Sequence, residues 1–227
     1  MDTKLQHYCQ MLGIRTWEAR FATTQPVITE TSHPLDNDAW LTLQQAVAAC
    51  KACSLHEGRT QTVFGVGNQQ ADLMFIGEAP GFHEDKQGEP FVGRAGQLLT
   101  AMIQSIGFER EKVYIANILK CRPPENRDPV VAEVKSCTPF LAQQIALIQP
   151  KLIVAVGRIA AHYLLNTKAP LESLRQKVHA YGDAATPLII TYHPAYLLRS
   201  PADKKKAWLD LRFAQKTLRE KLSASLA

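Results

Sequence analysis

Glu78, Glu84, Asp85 and Glu89 crowd into one stretch, GEAPGFHEDKQGEPF (77–91), of a 227-residue chain whose net charge is +5. The stretch directly follows a short apolar run, Leu73 to Ile76, and is punctuated by Gly77, Pro80, Gly81 and Gly88. Acids gathered in a Gly/Pro loop at the end of a strand suit the lining of a pocket. Two other polar residues close apolar runs in the same way. Asn117 lies in KVYIANIL (112–119), and His193 ends PLIITYH (187–193). An amide offers one donor and one acceptor side by side, and a histidine can donate or accept near neutral pH.

The cysteines carry a second kind of chemistry. Cys50 and Cys53 form a Cys-x-x-Cys pair, and Cys121 and Cys137 follow singly. Four thiolates are enough for one closed metal site. A zinc ribbon normally shows two close pairs. One pair and two singles fits an iron–sulfur cluster at least as well, and buried cysteines without a metal remain a third reading. Cys9 stands apart and is expected to be an apolar filler.

These groups need elements to position them. From Asp38, read as an N-cap, the apolar positions of DAWLTLQQAVAAC recur at helical spacing. Strands are then expected over 71–77, 112–119, 151–157 and 187–193, and helices over 93–107 (with Gly107 as C-cap), 128–150, 158–166 and 204–222. Pro139 should kink or split the second of these helices. Alternation of this kind predicts an α/β three-layer domain, with a four-stranded, mainly parallel sheet covered by helices on both faces. Ligands of such sheets bind beyond the carboxyl ends of the strands, where GEAPG, Asn117, Gly157-Arg158 and HPAYLLR would meet.

Charge and organisation narrow the function classes. Residues 199–227 hold eight Lys/Arg against three Asp/Glu, a basic excess that suits a polyanionic partner. No apolar run approaches a membrane span, and the N-terminus MDTKLQHYCQ lacks the pattern of a signal peptide. A soluble, cytoplasmic, monomeric protein is expected. Residues 1–20 are expected to form a short amphipathic peptide, 21–37 a Thr/Pro-rich flexible linker, and 38–227 the folded domain.

Taken together, CKAC, GEAPGFHEDKQGEPFVGRAGQLL, YIANILKCRPPENRDP and HPAYLLR, in this order from about residue 48 to 215, resemble the family 4 uracil-DNA glycosylases, which carry an iron–sulfur cluster. The resemblance implies the uracil-DNA glycosylase fold and hydrolysis of the N-glycosidic bond of a uracil flipped out of single- or double-stranded DNA. It implies one [4Fe–4S] cluster on Cys50, Cys53, Cys121 and Cys137. Phe91 would stack on the base. Asn117 would accept from uracil N3–H and donate to O4, a pattern that cytosine cannot meet. Glu84 would occupy the space of a thymine methyl. Backbone amides around Gly77, Glu78, Ala79 and Gly81 would hold O2 and adjacent phosphates, and His193 would donate to O2 as charge develops there. The better-known family 1 enzymes place a water-positioning Asp where this chain has Ala79. Either Glu78 orients the water or stabilisation of the leaving base dominates. Leu197 or Leu198 would fill the gap left by the flipped nucleotide, and Arg199 would bind a phosphate or the opposing strand.

Two readings extend or compete with this one. LGIRTWEAR (12–20) resembles the N-terminal peptide of the psi subunit of the bacterial clamp loader, which implies recruitment to the replicative clamp loader. The alternative function is a catalytically weak DNA-binding or replisome-tethering protein on a glycosylase fold. Activity on other deaminated bases stays open. Related homologues crosslink to DNA through a histidine in an inserted loop; CRPPENRDP has neither insertion nor histidine, so covalent trapping is not expected.

Overall fold

The computed structural model describes residues 36–224. The amphipathic peptide, the linker up to residue 35 and Cys9 lie outside them. The first helix, α1 (Asn37–Ala49), is capped by Asp36 rather than by Asp38: the Asp36 side chain accepts from the Ala39 N–H at 2.9 Å. In Asp-Asn-Asp several residues can cap, and the one three positions before a free N–H does so. Asp38 sits in the first turn instead, where its charge complements the helix dipole.

Six strands form one sheet: β1 (Val66–Gly67), β2 (Leu73–Gly77), β3 (Tyr114–Asn117), β4 (Leu152–Val156), β5 (His179–Tyr181) and β6 (Thr186–Thr191), in the order β1-β3-β2-β4-β6-β5. The four expected strands are its parallel centre, β3-β2-β4-β6. The expected count of four is corrected by β1 and β5, which pair antiparallel on the two edges. They are two and three residues long and bury no side chain fully, so neither leaves an apolar run to be read.

The central strands are apolar throughout because both faces are covered, and their side chains alternate strictly between two core layers. Met74, Ile76, Ile153, Ala155, Leu188 and Ile190 face one layer, with Trp40, Leu43 and Val47 of α1. That layer is completed by Leu141 and Ile145 of α5 (Val131–Ile148) and Ala160 and Ala161 of α6 (Arg158–Leu164). Leu73, Phe75, Leu152, Val154, Val156 and Ile189 face the other. They meet Leu99 and Ile103 of α4 (Arg94–Ser105) and Ala207, Leu211, Ala214 and Leu218 of α9 (Lys204–Ala224).

Two expectations about helix ends are refined. Gly107 lies one position past the cap Ile106, at φ +84°, and the N–H groups of Gly107 and Phe108 bond the carbonyls of Gln104 and Ile103. That pair of bonds is a Schellman motif, which needs a residue tolerant of the left-handed conformation. Pro139 does not split α5, which runs unbroken from Val131 to Ile148. Pro139 and Lys135, whose carbonyl loses its helical donor, are both exposed, so water can satisfy that group.

Short helices occupy places read as loops: α2 (Leu55–Gly58), α3 (Phe82–Gln87), α7 (Leu171–Leu174) and α8 (Pro194–Arg199). Two of them, α3 and α8, carry residues of the site.

Candidate active site

Gly77 ends β2 in register with Asn117, which ends β3. A Cβ on Gly77 would stand 2.4 Å from Asn117 Oδ1 and 2.6 Å from Phe91 Cζ. The bare glycine therefore brings an amide and an aromatic ring against the same point of backbone. Asn117 is 2% exposed, and its Oδ1 is the only buried side-chain nitrogen or oxygen among the described residues with no hydrogen-bond partner. A buried acceptor without a protein donor is costly, so this position suits a bound group that brings its own donor.

Phe91 is held in a conformation that aromatic residues rarely adopt, with φ +56°. Its surroundings impose that conformation. The Phe91 carbonyl sits against Gly96, where a Cβ would be 1.7 Å from the oxygen. Arg110 Nη2 donates to the Pro90 carbonyl at 2.7 Å. Glu84 Oε1 accepts from the N–H groups of Val92 and Gly93, at 3.0 and 3.2 Å. Glu84 thus ties the Gly77–Gly81 loop to the start of α4 and fixes the residue between them. Its other oxygen faces Gly81, where a Cβ would lie 2.8 Å away.

His193 comes to the same place from β6. Gly157, at φ +95°, makes room for it: a Cβ there would be 2.8 Å from His193 Cβ. The ring centroid lies 5.7 Å from that of Phe91, tilted by 33°. His193 is the N-cap of α8, and its Nδ1 accepts from the Ala195 N–H at 3.1 Å. Burial lowers its pKa to about 4, helped by Arg199 and opposed by Glu84. The ring is therefore neutral at physiological pH. With Nδ1 accepting, the single proton is on Nε2, which is left as a donor.

Glu78 follows Gly77 on the rim. Burial raises its pKa to about 7; Asp128 adds to the rise and Arg158 opposes it. Arg158 and Asp128 form an exposed ion pair at 3.3 Å. The sequence placed Asp128 only at a helix start, whereas α5 begins at Val131 and Asp128 belongs to this acidic rim. Arg158 directly follows the strand-end Gly157, which was the signal available for it. Ala79, also half-buried, packs against the first core layer.

The two leucines of HPAYLLR part company. Leu197 is 1% exposed within the second core layer, where a short helix points it inward, so of the two leucines expected to wedge into DNA only Leu198 is placed to do so. Leu198 stays half-buried and Arg199 exposed at the end of α8. His162 and His179 bond the carbonyls of Ala169 and Leu174, as ordinary structural histidines do.

The four thiols gather behind the β3 end of the rim. Cys50 caps α1, Cys121 follows β3, and Cys137 lies in α5. Burial raises the pKa of Cys121 against the opposing pull of Arg59, with Cys53 and Cys50 adding to the rise. Cys137 is pushed up to about 11 by burial, with Cys121 and Cys53 again contributing. The four sulfurs thus share one electrostatic neighbourhood. Each of three accepts a donor: Cys121 from Arg59 Nη1 at 3.0 Å, Cys137 from the Lys120 N–H at 3.4 Å, Cys50 from the Ala52 N–H at 3.5 Å. Among the described residues no three His, Cys, Asp or Glu side chains close around a single metal ion. Four thiols with N–H donors around three of them make a donor set that a thiolate-bound metal centre can use.

Lys120, between Asn117 and Cys121, was not singled out from the sequence. It is 1% exposed, and its Nζ donates to the carbonyls of Phe64 and Asn117 and to Gln144 Oε1, at 3.1, 2.9 and 2.6 Å. A lysine in an apolar run carries no sign that it is buried.

The family model of the uracil DNA glycosylase superfamily matches residues 64–212. The chain is 46% identical over 162 residues to the type-4 uracil-DNA glycosylase of Archaeoglobus fulgidus, covering 68% of this chain and 81% of the relative. It is 43% identical over 164 residues to the type-4 uracil-DNA glycosylase of Thermotoga maritima, covering 71% and 84%. A more distant similarity, 28% over 149 residues, is to the type-5 uracil-DNA glycosylase of Thermus thermophilus, covering 57% and 67%.

Proposed function

The chain belongs to the uracil-DNA glycosylase superfamily, with the type-4 enzymes as its relatives, and from that premise we propose that it excises uracil from DNA with the residues assembled above. The observation that carries the reading is the unpaired, buried Oδ1 of Asn117 beside a neutral His193 whose Nε2–H is free to donate.

A flipped uracil would enter against Phe91, with N3–H donating to Asn117 Oδ1 and O4 accepting from Asn117 Nδ2. Cytosine has no N3–H to give, and its pairing would leave Oδ1 unsatisfied. As the C1′–N1 bond breaks, the electron pair passes to the base, and the charge on O2 meets the His193 Nε2–H. One such preorganised donor contributes about 10²–10³-fold to the rate. Water forms the new bond to C1′ and gives up its proton. Glu78, with a pKa of about 7, is suited to receive it. The leaving uracil anion takes a proton from solvent, and an abasic site remains. Leu198 would fill the gap in the DNA, and Arg199 with the outward lysines and arginines of α9 would hold phosphates.

Cys50, Cys53, Cys121 and Cys137 would hold the [4Fe–4S] cluster, which when bound supplies a crosslink between α1 and the β3–α5 connection. Recruitment to the clamp loader through residues 12–20 is a separate proposal, since that peptide lies outside the described residues. Among the described residues no helix is long and apolar enough to cross a membrane.

The test is incubation of anaerobically purified protein with oligonucleotides carrying one uracil, followed by alkali. Strand cleavage at uracil, lost in Asn117→Ala and His193→Ala, is expected. Intact protein absorbing near ~400 nm, as an iron–sulfur centre does, that cleaves at no deaminated base would replace this reading with the DNA-tethering one.

A further inference from the structure

Beside the pocket the rim holds a second group of side chains that neither base recognition nor bond cleavage uses. Phe82, the first residue of α3, is 48% exposed although it directly follows Gly81 of the pocket loop. Arg122, five residues beyond Asn117, lays its guanidinium over that ring, with Cζ 5.1 Å from the centroid. Its Nε donates to Asn126 Oδ1 at 2.8 Å. Lys86, one turn along α3, brings Nζ within 5.6 Å of the same ring. His83 meets the ring edge-on at 5.5 Å.

The loop that presents Asn126 is itself fixed. Glu125 and Asn126 are both left-handed, at φ +53° and +52°, although neither is glycine. The turn is closed by the Asn126 N–H to the Pro123 carbonyl and the Arg127 N–H to the Pro124 carbonyl, at 3.1 and 3.0 Å. These hydrogen bonds, with the one from Arg122 Nε to Asn126 Oδ1, hold the two left-handed residues in place.

An arginine clasped between a ring and an amide has already lost most of its side-chain freedom. Its Nη1 and Nη2 have no hydrogen-bond partner among the described residues, and none of the ion pairs there includes Arg122 or Lys86. A planar fork of donors, held still and left without a carboxylate, matches the oxygens of a phosphate. The strand order gives the ligand its direction. The Arg122 loop leaves β3 and α8 leaves β6, towards opposite ends of the same rim, with the pocket between them. A chain crossing that rim would meet Arg199 on one side of the flipped base and Arg122 on the other.

We propose that Phe82, Lys86, Arg122 and Asn126 form a preformed subsite for a backbone phosphate flanking the flipped uracil. The proposal rests on the glycosylase reading for its ligand, and its test separates the two. In steady-state cleavage of a uracil oligonucleotide, Arg122→Gln raises KM about tenfold with kcat unchanged, and the plot of log KM against log salt flattens by about one unit. Inhibition by free uracil stays as in wild type. Arg122→Lys keeps the salt slope and restores KM only in part, because a point charge replaces the fork. Phe82→Ala, on a helix that carries no cysteine, raises KM in the same direction and serves if Arg122→Gln loses absorbance near ~400 nm. In oligonucleotides with single neutral methylphosphonates, one position beside the uracil weakens wild type and leaves Arg122→Gln unaffected. The proposal is overturned if every methylphosphonate weakens both proteins equally, if kcat or uracil inhibition falls while the salt slope holds, or if inorganic phosphate competes only with wild type and no methylphosphonate position matters. Should wild type cleave no uracil DNA, the glycosylase reading fails, while binding to a uracil-free oligonucleotide still measures the subsite.

Discussion

Thr191 and His193 stand two residues apart at the end of β6, and each looks into a buried polar cluster of a different kind. Around Thr191 the groups are fully paired. Asp210 accepts from Arg175 Nε and Nη2, Gln176 Nε2 and Thr191 Oγ1, at 2.8, 3.0, 2.6 and 3.1 Å. Arg175 spends its remaining donors on Glu172, Tyr192 and the Lys206 carbonyl, and Tyr192 donates to Glu172. Around His193 the pairing is left open, at Asn117 Oδ1 and the Nε2–H. The first cluster joins α7, β6 and α9 and has nothing left for a ligand. The second is bounded by strain at Phe91 and by glycines, and its open valences are what a base would fill. A satisfied network holds a fold together; an unsatisfied one, kept in place by its neighbours, binds.

A leucine placed in each cluster should affect stability differently. Asp210→Leu leaves the Arg175 cation buried without its carboxylate and should cost about 3–5 kcal/mol of stability, seen as a lower midpoint in urea. Asn117→Leu removes an unpaired acceptor, so stability should hold or rise while cleavage falls by about 10²-fold or more. Equal loss of stability in both variants would break the comparison.

Glu78 sharpens it through pH. Its folded pKa of about 7 lies above the ordinary carboxylate value of 4.5, so between these pH values the native state holds a proton that the unfolded chain has released. The contribution of Glu78 to stability is therefore greatest at acid pH and declines as pH rises through about 7. Glu78→Gln should raise Tm relative to wild type at pH 8 and leave it unchanged near pH 4. If the carboxylate receives the proton of the attacking water, wild-type kcat falls as pH drops through about 7, and the variant loses that limb on a lower plateau. A limb that survives in Glu78→Gln would reassign it to another group.

The smallest expected effect separates neighbours on α8. Leu198→Ala should raise KM for double-stranded substrate a few-fold without changing Tm, whereas Leu197→Ala should cost about 2–5 kcal/mol, the usual range for a core leucine. Matching Tm losses would place both leucines in the core.

Much of this was legible in the sequence, and the rest fails for stateable reasons. Four apolar runs gave the parallel centre of the sheet, and the polar residues that end them, Asn117 and His193, lie where a parallel sheet binds ligands. The edge strands were too short to show a pattern. The caps by Asp36 and His193 turned on which of several adjacent residues reached a free N–H, which backbone geometry decides. Leu197 and Leu198 are chemically identical in sequence, and only the turn of a six-residue helix distinguishes them. Arg175 and Asp210, 35 residues apart, and Arg158 and Asp128, 30 apart, are partners that no local pattern announces. Lys120 looked like surface because lysine nearly always is.

The pocket draws Gly77, Asn117, Gly157 and His193 from the ends of four parallel strands, each joined to the next by a long crossover. Such pairings form late, because loop closure must be met before any contact rewards it. No hairpin or half-sheet of this chain contains the site, and β6, which brings His193, comes last of the four in sequence. Catalysis through His193 therefore requires β6 docked on β4, and a nascent chain synthesised only as far as α6 would carry the base-reading amide without that histidine.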